Sequence, residues 1–214
     1  MDEEITIIDT NARNERIKNF FINNKKKLII TVSIISVIII GYLSFENSKE
    51  KNKIKLANQY NLALIDLNPE NKQKTIDEMV NVVKSNDATY SPLALYHLLD
   101  NNLLENNDEI NILFNELIEK TNLDIEIKNL IIYKKALFNS EFVSENELLK
   151  ILNPVINSES IWKSHALYLL AEFFYSKKEK QKAKEFFNQI LLLPNSNNEI
   201  KLASQKRLNR DLSE

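Results

Sequence analysis

A single glycine, Gly41, stands in 214 residues. Tight hairpins, β-bulges and phosphate-cradling loops call on glycine for positive φ, so strand-rich folds and nucleotide-binding α/β folds lack their turn chemistry here. Helices joined by short Asn- and Ser-bearing loops remain. The four prolines, Pro69, Pro92, Pro154 and Pro194, then read as helix punctuation. The fold class expected is all-α.

Within that class one segment is set apart. Residues 28–45 read LIITVSIISVIIIGYLSF without a charge, about 27 Å of helix at 1.5 Å per residue, enough to cross a hydrocarbon core. A cleaved signal peptide has a shorter apolar region and a small-x-small cleavage site. This run instead ends Tyr42-Leu43-Ser44-Phe45-Glu46, and the segment before it is long and opens with Asp2, Glu3 and Glu4. An uncleaved anchor is expected, with Tyr42 and Phe45 at one interface. Arg13, Arg16, Lys18 and the triplet Lys25, Lys26 and Lys27 precede the span, and Lys49, Lys51, Lys53 and Lys55 follow at a distance. The positive-inside rule places the N-terminus in the cytoplasm and the larger C-terminal part outside, in the periplasm of a Gram-negative inner membrane. Three parts result: a cytoplasmic arm over 1–27, a transmembrane helix over 28–45 and a helical domain over 46–214. In the arm, Ile17, Phe20 and Phe21 with Arg13, Arg16 and Lys18 form either an amphipathic helix on the inner leaflet or a solvated tail.

Beyond the span, apolar residues recur at helical spacing in segment after segment. Ile54, Ala57, Tyr60, Leu64 and Leu67 mark a helix that continues the anchor and stops at Asn68-Pro69. Ile76, Met79, Val80 and Val83 mark the next. Pro92 falls in the first turn of a third helix carrying Leu93, Leu95, Leu98 and Leu99, and Asn106 caps a fourth carrying Ile110, Leu113, Phe114 and Leu117. A fifth covers 123–139. A sixth begins at Ser144 and ends before Asn153-Pro154. The seventh carries Trp162, His165 and Phe174, the eighth Ala183, Phe187 and Ile190, and the ninth Ile200, Leu202 and Leu208. Helix hairpins with short loops are the pattern of an α-solenoid.

An internal match agrees with this. Leu95-Tyr96-His97-Leu98-Leu99 and Leu167-Tyr168-Leu169-Leu170-Ala171 lie 72 positions apart, and Phe114 and Phe186 keep that offset. The spacing is twice the period of about 34 residues of tetratricopeptide units. In residues 167–194 the pair Leu170-Ala171, Phe174, Ala183, Phe187 and Pro194 fall where that motif places small residues, filling aromatics and a terminating proline; the earlier units lack those small residues.

Chemistry-bearing motifs are scarce. Absence of cysteine removes disulfides, thiolate metal sites and thiol nucleophiles. His97 and His165 form no His-x-x-x-His or Glu-x-x-His spacing, so packing is their expected role and neither metal nor cofactor is expected. With no phosphate loop, nucleophile elbow or dinucleotide fingerprint, the chain reads as a non-enzyme without a small-molecule substrate. A net charge of −2 offers no cationic field for nucleic acid. Trp162, Tyr168, Phe174, Tyr96 and His97 are the candidates for protein binding or repeat packing, because large aromatic side chains serve both.

Arm, single span, degenerate helical-repeat domain and the closing stretches Trp162 to Ala171, Lys182-Ala183-Lys184-Glu185-Phe186-Phe187 and Lys201 to Leu208 together resemble the tetratricopeptide-like family that includes the ancillary subunit of the bacterial SecYEG translocon. Where that family has a Lys-Gly-Asp type turn, Ser176-Lys177-Lys178-Glu179 stands here. The resemblance implies an inner-membrane scaffold whose partners are SecYEG and periplasmic chaperones. A second expectation from the residues themselves is a membrane-bound regulatory accessory that acts through its cytoplasmic arm, residues 2–27.

Overall fold

The computed structural model of the chain describes residues 2–68 and 70–212, with side chains from Arg13 onward. The side chains of Asp2, Glu3 and Glu4 and the stop expected at Pro69 lie outside the described residues. Among those described, nine α-helices and no strand are found: α1 Asp2–Ile65, α2 Lys72–Lys84, α3 Tyr90–Asp100, α4 Asn107–Lys120, α5 Ile125–Asn139, α6 Glu145–Ile156, α7 Lys163–Ser176, α8 Lys180–Leu192 and α9 Asn198–Asp211. The chain divides into two units, residues 1–55 and 56–214.

In the first unit, α1 carries the apolar run as uninterrupted helix, with an 18-residue window of mean hydropathy 2.5 that is not buried anywhere. It is long and apolar enough to cross a membrane once. Ile30, Ile34, Val37, Ile38 and Ile40 are all exposed, as side chains facing lipid would be. Two hydroxyls within the run are satisfied locally: Thr31 Oγ1 donates to the Lys27 carbonyl and Ser36 Oγ to the Val32 carbonyl, each at 2.9 Å. No polar side-chain hydrogen at those two positions is left to the hydrocarbon.

The second unit begins inside α1. Here the buried stripe is Leu56, Ala57, Tyr60, Ala63 and Leu67, with Ala63 fully buried, whereas Ile54 and Leu64 are exposed. The expected stripe is therefore displaced by part of a turn: Ala63, small enough for close approach, faces the core, and Leu64 falls to its rim. Tyr60 meets Tyr90 at a centroid distance of 5.9 Å.

Helices adjacent in sequence pack on one another from α2 to α9, and α2 with α4, α5 with α7 and α7 with α9 also touch. Two apolar cores result. One joins α1 to α5 around Met79, Leu95, Leu98, Leu113, Phe114 and Leu117. The other joins α5 to α9 around Leu148, Leu152, Leu170, Phe174, Phe187 and Ile190. Ile118 packs against both.

Cap chemistry sets the N-terminal boundaries of α4, α5, α6 and α9. Asn106 accepts from the Asp108 and Glu109 amides, Asp124 from Glu126, Ser144 from Glu147, and Asn197 from Glu199 and Ile200. At C-termini, left-handed residues supply what glycine usually supplies: Asn86, Asn102 and Lys178 have φ of 57°, 50° and 64°. The Asn102 and Lys178 sites are Schellman motifs. Asn102 N donates to Leu99 O and Leu103 N to Leu98 O, while Lys178 N donates to Tyr175 O and Glu179 N to Phe174 O, all between 2.9 and 3.0 Å.

Two further expectations are corrected. Helix α6 runs through Pro154 to Ile156 instead of ending before Asn153. The carbonyl that proline leaves without a donor belongs to Lys150, an exposed residue, and fully buried Val155 holds the last turn down. The internal match holds along α3 and α7, where Leu95 and Leu167 and then Leu98 and Leu170 are buried, but Phe114 is fully buried and its offset partner Phe186 only partly. Phe187 takes the buried place on α8. The offset partners of Ala171 and Ala183 are Leu99 and Asn111, and the small residues that α3 does bury are Ser91 and Ala94, both fully enclosed. Ser91 Oγ donates to Val82 O at 2.8 Å, which draws α3 onto α2.

Candidate functional site

Trp162, the residue preceding α7, is placed by a turn of hydroxyls. Its amide donates to Ser160 Oγ at 3.1 Å, and that hydroxyl donates to Glu126 Oε2 on α5 at 2.7 Å. The half-buried indole stacks on Tyr133 with centroids 6.0 Å apart and planes 18° from parallel. His165 lies 5.1 Å from Trp162 and 5.9 Å from Tyr133. Its Nδ1 is buried without a partner. Burial holds the imidazole below its ordinary pKa and pushes the Tyr133 phenol up. The ring therefore behaves as a neutral aromatic surface.

Tyr168 and Phe174 sit further along α7. Tyr168 is half-buried edge-on to Phe187 at 5.6 Å, and burial raises its pKa. Phe174 is enclosed between α7 and α8: it stacks on Phe186 at 5.5 Å with planes 5° apart, under the Lys182 ammonium at 4.9 Å. Lys182 in turn binds Glu145 of α6 at 2.7 Å and Glu179 at 2.8 Å. Phe174 is a packing residue.

Tyr96 packs against the other core, with His97 beside it on α3. The Lys134 ammonium stands 5.4 Å over the Tyr96 ring. The Tyr96 hydroxyl and His97 Nε2 are buried without partners, so the phenol is pushed up to about 12, by burial and then by Asp100. Burial lowers His97, against an opposing pull from Asp100. Of the five named residues, Trp162, Tyr168 and Phe174 thus go with the α5–α9 core and Tyr96 with the α1–α5 core, while His97 lies half-buried beside Tyr96 on α3.

Sequence reasoning missed a polar groove of about 420 Å³ across α4, α5 and α6. Asn111 and Asn139 form a reciprocal carboxamide pair there, Nδ2 to Oδ1 at 3.0 and 2.8 Å. Lys135, one turn before Asn139, donates from Nζ to Asn115 Oδ1 at 2.6 Å. Asp108, Glu147 and Lys150 also line the groove. The signal was present as Asn111, Asn115, Lys135 and Asn139 at helical spacing, but a chain so rich in Asn and Lys hides it. Among the described residues, no group of three or more His, Asp or Glu side chains is placed to hold a metal ion.

Compared with protein-family models, curated proteins and solved structures, the chain matches none.

Proposed function

We propose that this chain is a membrane-anchored scaffold: α1 tethers an α-solenoid of tetratricopeptide-like helix hairpins that binds other proteins. The observation that carries the reading is one long, lipid-compatible helix joined in sequence to a purely helical unit whose successive helices pack in order. The additional contacts of α5 with α7 and α7 with α9 fit stacked hairpins. Such folds work by surface rather than by reaction, and a half-buried aromatic cluster such as Trp162, Tyr133 and His165 suits that use.

From the resemblance of 162–208 to the translocon-associated family, the proposed partners are SecYEG and periplasmic chaperones, with the domain in the periplasm. Photocrosslinkers at exposed positions of the helical unit, activated in intact membranes, test this. Adducts with translocon subunits are expected. Adducts only with other proteins would remove the proposed partner and keep the scaffold, and no protein adduct at all would remove both. A topology reporter fused after the last residue tests the compartment, a cytoplasmic result being the adverse one.

A second reading has its own observation. Ile17, Phe20 and Phe21 are exposed on α1 ahead of the apolar run, so the arm offers an apolar surface of its own. Deleting residues 1–24 separates the two: loss of partner capture would favour an accessory acting through the arm.

A further inference from the structure

Lys135 is half-buried, yet among the described residues no carboxylate comes within ion-pair distance of its Nζ, unlike Lys120 and Lys182. Burial disfavours its charge, and Glu119 and Glu147 act only through space to favour it. With no direct carboxylate bond, the ammonium keeps room for a further anionic acceptor. Its one side-chain bond is to Asn115 Oδ1, which turns the Asn115 NH₂ group into an adjacent, unused donor. Asn139 Nδ2 donates to the Lys135 carbonyl at 2.7 Å and completes the pair with Asn111, so the backbone under the lysine is fixed.

We infer that the groove between α4, α5 and α6 is a binding site for a peptide carboxylate, received by the Lys135 ammonium and the Asn115 carboxamide. Asp108 and Glu147 on the same groove disfavour a phosphate dianion and offer acceptors to backbone N–H groups of a bound chain. A volume of about 420 Å³ admits the end of a peptide rather than a folded surface. The inference rests on the scaffold reading and gives it a site and a ligand chemistry.

The test uses the full chain in lipid nanodiscs and fluorescein-labelled degenerate octapeptide pools, followed by fluorescence anisotropy. One pool has a free C-terminal carboxylate and no Asp or Glu, a second is the same pool amidated, and a third is amidated with internal Asp and Glu. At least one carboxylate-bearing pool is expected to bind about tenfold more tightly than the second, since a charge-assisted bond contributes about 1.5 kcal/mol or more. Which of the two does so distinguishes a chain terminus from an acidic side chain. Lys135→Met abolishes the preference while the thermal midpoint stays level or rises. Asn115→Asp, nearly isosteric, places a carboxylate against Lys135 and removes the preference as well. Equal binding by all pools, binding by none, or a preference that survives both substitutions overturns the site. A phosphopeptide pool preferred over all three would also overturn it. Because the crosslinking experiment does not use these residues, this site can fail while the scaffold stands.

Discussion

Arg207 grips Glu172 with two parallel hydrogen bonds, Nε to Oε1 and Nη2 to Oε2, each 2.7 Å, and so fastens α9 to α7. The same guanidinium lies 4.9 Å from the Tyr175 ring centroid and reaches Asp211 at 2.9 Å. Lysine carries the charge but has no planar fork to match both carboxylate oxygens. Arg207→Lys is expected to lower stability by about 1 kcal/mol. A double-mutant cycle with Glu172→Gln, read by urea denaturation, measures the coupling. A coupling energy below about 0.3 kcal/mol would remove the pair from any account of how α9 is held.

Lys178 ends α7 at φ 64°, where its Cβ crowds the backbone. Lys178→Gly relieves that crowding and keeps the Tyr175 and Phe174 carbonyls paired. Against the greater freedom glycine gives the unfolded chain, the expected net gain is about 0.5–1 kcal/mol, a rise of about 1–4 °C in thermal midpoint. An unchanged or lower midpoint by calorimetry would count against the strain.

His97 and His165 both bind protons less readily in the folded protein than at the ordinary value of 6.5, because burial penalises the imidazolium. The unfolded chain therefore takes up more protons, and stability is complete above about pH 6.5 and declines as pH falls through it. Urea midpoints from about pH 7.5 to about pH 5.5 are expected to decrease, and His165→Phe to flatten the slope. Asp211, held below the usual carboxylate range first by Arg210 and then by Arg207, loses its contribution only at lower pH. A flat profile down to about pH 5.5 would contradict the buried state of both rings.

Ile38 lies within the apolar run and is 64% exposed on α1. Arginine at the centre of a spanning helix costs about 2.5–3.5 kcal/mol in insertion. Ile38→Arg is expected to shift a large share of the chain into the alkaline-carbonate-soluble fraction, while a polar change outside the run, for example Asn47→Ser, leaves extraction unchanged. Full retention of the arginine variant in the membrane pellet would argue against a single span through this segment.

Much of the helical architecture was legible because its signals are local. Asn106 and Ser144 accept from the amides that a capping reading assigns to them, and Ile76, Met79, Val80 and Val83 share the buried face their spacing implies. What escaped depends on neighbours remote in sequence. Whether Ala63 or Leu64 faces inward on α1 is decided by what packs against it, since both choices lie within one turn of an apolar stripe. The polar groove escaped for another reason. Lys135 is one of many lysines, and what sets it apart is its place in the groove with its ammonium bonded to Asn115.

The carboxamide pair of Asn111 and Asn139 has a consequence for how such a chain can change. Replacing Asn111 alone leaves the buried Asn139 Oδ1 without its donor, with a desolvation cost of about 1–3 kcal/mol, and replacing Asn139 alone removes both bonds that Asn111 makes across the helices, whereas an apolar pair of matching shape would be tolerated. The two positions are a single heritable character: a lineage leaves this state by two substitutions, and the first of them passes through a weaker protein.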